Sequence, residues 1–329
     1  MYLYYYYFSF PMILISNIMI FFFKSFIYMW MIMEFNLMCF LSMVFVFKFK
    51  YNQMLMDYFL VQSYNSYLFL MSSVYLMIQD IWLVNLLMLI SLSSKMGVPP
   101  FHIWYLSFMK NLNWMLFYLN SSLQKFIPLM IMSVLMKMSE FLLIYMIFLL
   151  FFLPLLGINF VFMKIVMSIS SLIQVVWLII LMNFNKKMWM IYYLYYCIIS
   201  FALIYLLNLL NVHYVYDLVQ NKGSVNVMYL YNFMIFSLAS LPPFSGFLNK
   251  MMFMDLMVEN YSNLFLLFMF VVSLLNMYFY LRIMFINSLI YYSCMNKNVN
   301  WNKLDLYVSF KVISLNLVLL MLIMFYEMF

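Results

Sequence analysis

Charged residues are scarce in this sequence. They make up 8% of its 329 residues, whereas a soluble domain carries roughly 25%. Hydrophobic residues account for 70% of the chain and run from one end to the other with short polar breaks. This composition excludes an ordinary soluble enzyme and predicts an all-α, polytopic integral membrane protein.

Glycine, cysteine and histidine are also rare, and their scarcity excludes several kinds of site. With four glycines, the chain has neither a GxGxxG nor a GxxxxGK[ST] motif, so we expect no nucleotide or flavin site in it. The three cysteines and two histidines lack metal-ligand spacing, so we expect no metal or iron–sulfur cluster. The net charge of +7 comes from scattered basic residues, which argues against a nucleic-acid partner.

The most abundant residue types indicate the kind of genome that encodes the chain. The chain has 39 Met, 38 Phe and 30 Tyr, but Ala202 and Ala239 are its only alanines. This bias indicates an A+T-rich genome, and animal mitochondria also translate AUA as Met. Residues 1–23 are apolar but lack a basic n-region and an A-x-A site, so we expect no cleavable signal and synthesis inside the organelle.

The hydrophobic runs predict about eleven transmembrane helices, since a membrane-spanning helix needs about 20 apolar residues. Polar stretches are too short for a soluble domain, so we predict a single transmembrane domain over residues 1–329. With the N-terminus inside, basic loop residues number nine inside against four outside, which favours that orientation. The predicted spans are 3–23, 26–47, 57–78, 81–104, 115–138, 140–160, 163–183, 188–210, 226–257, 262–286 and 307–326.

Two Pro-Pro pairs interrupt two of these spans, at Pro99-Pro100 and at Pro242-Pro243. Each pair is followed by Phe, with a Gly and a Lys close by. A Pro-Pro pair removes two backbone donors and frees carbonyls one turn earlier, which is costly in lipid unless protein or water satisfies them. Two broken spans in corresponding halves indicate a transporter built from repeats. The alternative is that each pair merely ends a helix at the surface.

Most charged residues lie at or near the ends of predicted spans, but four lie deeper inside them: Glu34, Lys95, Lys125 and Lys250. Each costs roughly 2.5–3.5 kcal/mol at the bilayer centre, so all four must face protein or water, or form pairs. A poorly hydrated Lys near a Glu can load and release a proton as its partner moves, which predicts a proton relay. The alternative is a set of static pairs that only fix helix packing.

His102 follows the first Pro-Pro pair. Because imidazole titrates near neutral pH, it could pass a proton onward from Lys95, although a structural hydrogen bond is an equal alternative.

Four segments resemble motifs of one family, in the same order along the chain. Residues 33–38 (MEFNLM), 94–104 (SKMGVPPFHIW), 124–128 (QKFIP) and 241–250 (LPPFSGFLNK) resemble the motifs of the proton-pumping, antiporter-like subunits of respiratory complex I. The resemblance covers essentially the whole chain. Ser240 and Asn249 stand where that family usually has Gly and Pro, and Gln174 stands where His is common.

The resemblance implies an inverted-repeat, antiporter-like architecture and a set of proton-carrying residues. Glu34 would belong to the first half-channel, Lys95 would be its partner on the first broken helix, Lys125 the central lysine, and Lys250 the lysine near the exit. Supporting roles would fall to His102, Gln174, Pro99, Pro100, Pro242 and Pro243.

The resemblance also implies a function and a setting. The chain would be a subunit of the H⁺-translocating NADH:ubiquinone reductase in the mitochondrial inner membrane, with its N-terminus on the matrix side. It would hold no redox centre, because FMN, iron–sulfur clusters and ubiquinone would lie in other subunits. Its partners would be other membrane-arm and accessory subunits and membrane lipid. The alternatives are a subunit of a stand-alone cation/proton antiporter and a structural subunit that no longer pumps.

Overall fold

A computed structural model of the chain describes residues 2–47, 52–78, 82–135, 140–184, 188–215, 217, 225–242, 244–260 and 263–294. These residues form thirteen helices and no β-strand. The helices are α1 (Tyr2–Met19), α2 (Phe26–Phe47), α3 (Asn52–Ile78), α4 (Trp82–Met96), α5 (His102–Asn111), α6 (Trp114–Ser121), α7 (Leu123–Leu135), α8 (Glu140–Ile158), α9 (Met163–Phe184), α10 (Met188–Leu209), α11 (Val225–Ala239), α12 (Ser245–Asn260) and α13 (Asn263–Cys294).

The chain divides into two compact units. Unit 1 is Met1–Lys137 and contains α1 to α7, and unit 2 is Met138–Phe329 and contains α8 to α13. Among the described residues of each unit, three helices precede a helix that is broken at a Pro-Pro pair. The single transmembrane domain over residues 1–329 stays a prediction.

The predicted all-α membrane fold is confirmed. Within the described residues, four helical stretches are long and apolar enough to cross a membrane: Phe26–Phe45, Met163–Phe184, Met188–Leu209 and Phe265–Ile286. Four shorter apolar helical stretches accompany them: Tyr7–Met19, Trp82–Met96, Leu142–Ile158 and Leu230–Ala239. The last predicted span, 307–326, lies outside the described residues.

Helix α9 is the most buried of the described helices of unit 2. Every residue from Val166 to Met182 is buried, and most of them are apolar, as expected for a helix enclosed by its neighbours. The hydroxyls of Ser168, Ser170 and Ser171 donate to carbonyls of the preceding turn at 2.7–2.8 Å, so these donors are satisfied within the helix.

The first Pro-Pro pair separates α4 from α5. Gly97 has φ +74° and its N–H donates to the Ser94 carbonyl, while the Val98 N–H donates to the Ser93 carbonyl. This pair of bonds is the Schellman ending of a helix, which favours Gly at the left-handed position. The Phe101 N–H then donates to Val98 at 3.1 Å and closes a turn across Pro99-Pro100. Helix α5 continues to Asn111, beyond the predicted end at 104.

The second Pro-Pro pair separates α11 from α12 with the same bonds. The Ser240 N–H donates to the Ser237 carbonyl, and the Leu241 N–H donates to the Phe236 carbonyl. The Phe244 N–H then donates to the Leu241 carbonyl at 2.8 Å. Ser240 takes the left-handed position with φ +58°. Pro242 lies in this turn, and Pro243 lies outside the described residues.

Packing after the second break depends on a glycine. A Cβ on Gly246, in the first turn of α12, would collide with the Ser237 carbonyl oxygen near the end of α11. The two helix segments can therefore approach this closely only because position 246 carries no side chain.

A third break was not predicted. The hydrophobic pattern predicted one span over 115–138, but α6 ends at Ser121 and α7 begins at Leu123. Both the N–H and the hydroxyl of Ser122 donate to the Tyr118 carbonyl, at 3.0 and 2.6 Å. Serine competes for backbone carbonyls in this way, and such bonds can bend or end a helix without Gly or Pro.

Candidate functional site

Lys95 lies in the last turn of α4, immediately before the first break. Its side chain is 7% exposed, and its Nζ lies 3.8 Å from the sulfur of Met33 on α2. The carboxylate of Glu34, the next residue of α2, attracts the Lys95 ammonium electrostatically. Within the described part of the chain, Oε1 of Glu34 is buried and accepts no hydrogen bond. The structure thus places these two predicted residues in one site.

The backbone carbonyl of Lys95 has a side-chain partner from another helix. In an uninterrupted helix the N–H of residue 99 would donate to it, but Pro99 has no N–H. The buried side chain of Gln62 on α3 donates to this carbonyl instead, at 3.0 Å. Gln62 therefore satisfies a carbonyl that would otherwise lack its partner in a poorly hydrated region.

A cavity of about 20 Å³ lies beside Lys95. A cavity needs roughly 10–15 Å³ of such space and two or more polar partners to hold a water molecule. This cavity offers polar groups from α2, α3, α4 and α7, so it meets both conditions. Its lining residues are Met33, Asn36, Leu37, Tyr58, Gln62, Lys95, Gln124, Ile127 and Pro128.

The first turn of α7 is tied to the two N-terminal helices. The Gln124 side-chain amide donates to Oδ1 of Asn36 on α2 at 3.1 Å. The Asn17 amide of α1 donates to the Leu123 carbonyl at 3.3 Å. These bonds fix the start of α7 and thereby the position from which Lys125 projects.

Lys125 faces an aromatic ring. It is 3% exposed, and its Nζ lies 4.5 Å from the ring centroid of Tyr105 on α5. An ammonium over a ring within about 6 Å is attracted by the π-electrons, and this attraction is strongest where water is excluded.

Lys250 lies in unit 2 and has a similar environment. It is half-buried on α12, with Nζ 5.7 Å from the ring centroid of Trp177 on α9. Trp177 packs edge-on against Phe253 at 4.9 Å. Gln174, one turn before Trp177, accepts a hydrogen bond from the Tyr192 hydroxyl at 2.6 Å. Gln174 thus belongs to the helix that contacts Lys250.

The second break also receives a side chain from another helix. The Tyr195 hydroxyl of α10 lies 3.1 Å from the Ser245 hydroxyl and donates to the Ser237 carbonyl at 3.4 Å. Tyr195 at the second break therefore resembles Gln62 at the first, since each brings a polar group to a helix ending.

His102 is the first residue of α5 and is half-buried. Its Nδ1 is buried and makes no hydrogen bond within the described residues. Those residues also contain no group of three His, Cys, Asp or Glu side chains that could hold a metal ion.

Sequence reasoning missed several contributors to these sites. Gln62 could have been found, because it carries a strongly polar side-chain amide within the predicted span 57–78. Tyr105 and Tyr195 could not, since nothing distinguishes them among 30 tyrosines before their neighbours are known.

Comparisons with known proteins agree with this fold. No protein-family model matches the chain. It is 31% identical to NADH-ubiquinone oxidoreductase chain 2 of Artemia franciscana over 262 residues, which cover 79% of this chain and 82% of the relative. The protein of the same name from Anopheles gambiae is 29% identical over 301 residues, with 86% of each chain covered.

Two solved structures share the fold at low sequence identity. A chain of respiratory complex I from Thermus thermophilus superposes with a TM-score of 0.76 at 15% identity and covers 91% of this chain and 73% of that chain. A chain of the Mrp complex from Dietzia sp. superposes with a TM-score of 0.63 at 16% identity. The match covers 77% of this chain and 55% of that chain. The similarity to named relatives extends over most of both sequences, and on that evidence the chain belongs to the NADH-ubiquinone oxidoreductase chain 2 family.

Proposed function

We propose that this chain is a membrane-arm subunit of respiratory complex I and carries protons as electrons pass from NADH to ubiquinone. Family membership supports the assignment to the complex. The observation that carries the proton role is the placement of Lys95. It is buried in the last turn before a helix break, attracted by Glu34 and adjacent to a polar cavity of water-molecule size.

Lys95 and Glu34 form the first site of this relay. The Glu34 carboxylate stabilises a protonated Lys95, and a change in their separation alters that stabilisation, since Coulomb energy in a poorly hydrated site depends strongly on distance. Gln62 holds the Lys95 backbone in place while the side chain gains or loses its proton. A water molecule in the cavity would give the ammonium proton a way to leave toward α7.

Lys125 and Lys250 carry the later steps in their own units. Each ammonium lies over an aromatic ring. A ring stabilises the charged lysine without accepting its proton, so the lysine can hold a proton and still release it to water or to another base. Gln174 supports Lys250 through the helix that carries Trp177 and can hold water where the family often has His.

The remaining requirements belong to the complex rather than to this chain. Electron transfer needs FMN, iron–sulfur clusters and ubiquinone, which we assign to other subunits, and the chain's own part is proton translocation. Its partners would be other membrane-arm and accessory subunits and the surrounding lipid, without nucleic acid. The animal relatives and the apolar helices support a multi-pass protein of the mitochondrial inner membrane, and we assign the N-terminus to the matrix side.

A second candidate is a subunit of a cation/proton antiporter. The fold shared with a chain of the Mrp complex favours it, but that likeness rests on 16% identity. Identity of 31% to a chain 2 relative, over most of its length, favours the complex I assignment.

The variant Lys125→Met tests the proton role. It removes the charge, keeps a flexible apolar side chain of similar length, and leaves Tyr105 packed against it. We expect the complex to assemble and oxidise NADH, with fewer protons translocated per electron. Proton uptake and NADH oxidation measured together in sealed vesicles give this ratio.

A matched control is Lys24→Met, because Lys24 is an exposed lysine of the same unit. It should pump at the ratio of the unmodified complex. If Lys125→Met retained the normal ratio in a fully assembled complex, Lys125 would carry no protons and the proposal for this residue would fail.

A further inference from the structure

Tyr105 touches two parts of unit 1 that the proton path must connect. It lies on α5, one turn after the first break, and is 1% exposed. One side of it packs against the turn that follows Lys95, and the ring also lies next to Lys125.

The contact with the break is unusually close. A Cβ built on Gly97 would lie 2.6 Å from Cβ and 2.8 Å from Cγ of Tyr105. Such separations are far shorter than normal carbon–carbon contacts of about 3.5–4.0 Å, so only glycine leaves room for the Tyr105 side chain here. The turn at Gly97 therefore packs directly against the Tyr105 side chain, and Gly97 is two residues from Lys95.

The contact with Lys125 depends on charge. Its Nζ lies 4.5 Å from the ring centroid, and both side chains are almost fully buried. The protonated lysine is attracted by the ring face, whereas a neutral amine lacks most of that attraction. Proton release from Lys125 therefore loosens the contact between this lysine and the ring.

We propose that Tyr105 is a positioning residue that couples the protonation of Lys125 to the turn after Lys95. While Lys125 is protonated, the ring is held between the ammonium and Gly97, which fixes the first break. When Lys125 loses its proton, the ring and the turn can shift together, and the separation of Lys95 from Glu34 changes with them. This inference rests on the proposed proton role of Lys125 and adds the element through which two proton sites communicate.

The test compares three variants of the whole complex. Tyr105→Leu removes the ring and keeps a buried apolar side chain, whereas Tyr105→Phe keeps the ring and removes only the hydroxyl. Phe40→Leu removes a fully buried ring of the same unit that packs against Tyr58 and Phe108. We expect Tyr105→Leu to lower the ratio of protons to electrons, with Tyr105→Phe and Phe40→Leu close to the unmodified complex.

Each result has a defined meaning. A normal ratio in assembled Tyr105→Leu would overturn the inference, and so would a loss in Phe40→Leu as large as that in Tyr105→Leu, because the effect would then be one of packing. If Tyr105→Phe lowered the ratio of protons to electrons as much as Tyr105→Leu, the effect would belong to the hydroxyl. That result would overturn the role of the ring. Lys125→Met measured alongside separates the two proposals: if it lowers the ratio while Tyr105→Leu does not, only the role of Tyr105 fails.

A second measurement does not depend on assembly of the variants. Structures of the unmodified complex at rest and during turnover should show the Lys125 ammonium over the ring in one state. In the other state, the ring and the Gly97 turn should be displaced together. An ammonium that stays more than about 6 Å from the ring in both states, or a ring that moves without the turn, would overturn the inference.

Discussion

Gln62 illustrates how a single side chain can support a broken helix in a membrane. Its amide supplies the hydrogen bond that Pro99 cannot give to the Lys95 carbonyl. Gln62→Leu would leave that buried carbonyl unsatisfied, at a cost of about 1–3 kcal/mol. We expect a lower temperature of thermal inactivation of NADH-driven proton pumping, measured on the purified complex in lipid.

The control for this substitution lies on the same helix. Gln53 is exposed near the start of α3, so Gln53→Leu makes the same chemical change without removing the bond to Lys95. Equal inactivation temperatures for the two variants would contradict the role given to Gln62.

The four charged candidate residues stand out in the sequence, whereas most of their neighbours could not be predicted. Glu34, Lys95, Lys125 and Lys250 stand out because a charge within an apolar span is costly in lipid. The aromatic partners Tyr105 and Trp177 belong to abundant residue types, and their role depends on three-dimensional proximity. The order of residues in one sequence does not indicate which of these aromatic rings lies near a lysine in the fold.

At the scale of helices, the end of α11 contains a strained residue whose replacement should stabilise the protein. Ser240 has φ +58°, the left-handed conformation, where its Cβ is disfavoured by roughly 1–2 kcal/mol. Gly97 holds the equivalent position in the first break. We expect Ser240→Gly to stabilise unit 2 by about 1 kcal/mol, because the strain that it removes exceeds the entropy that glycine adds to the unfolded chain. The measurement is the denaturant or temperature midpoint of the purified complex.

The reverse change in unit 1 is the companion experiment for Ser240→Gly. Gly97→Ser introduces the same strain and also a side chain against Tyr105, so its destabilisation should exceed the gain from Ser240→Gly. A Ser240→Gly complex less stable than the unmodified one would show that the serine is preferred at this helix end.

The helix breaks differ in how visible they are in the sequence. The Pro-Pro pairs reveal two breaks, since proline removes donors that a helix needs. The break at Ser122 carries no such signal, because its distinguishing feature is a bond from the Ser122 hydroxyl to the Tyr118 carbonyl. Serine makes local bonds of this kind within intact helices too, as in α9, so its presence alone does not predict a break.

At the scale of the whole molecule, the two units repeat one plan with different residues. In the described residues, each has three helices followed by a Pro-Pro break and the same hydrogen bonds at that break. A polar side chain from the third of these helices lies beside each break. That side chain is Gln62 in unit 1 and Tyr195 in unit 2. The charged residues do not follow the repeat, because Lys95 precedes its break whereas Lys250 follows the other one.

Two lysines report the orientation of the chain in the membrane. Lys24 lies between α1 and α2, and Lys110 lies in the last turn of α5. The helices α2, α3 and the broken pair α4–α5 separate them, which amounts to three membrane crossings. The two lysines should therefore lie on opposite sides. Because basic residues accumulate on the inner side, we expect Lys110 to face the matrix and Lys24 the intermembrane space.

Single cysteines at these two exposed positions allow a direct measurement. Lys24→Cys should react with a membrane-impermeant maleimide in mitoplasts, and Lys110→Cys only in inverted inner-membrane vesicles. The unmodified chain, whose Cys39 and Cys197 lie within helices α2 and α10, gives the background. The opposite pattern would place the N-terminus outside the matrix. Labelling of both positions from one side would instead contradict three crossings, since an odd number of crossings must separate residues on opposite faces.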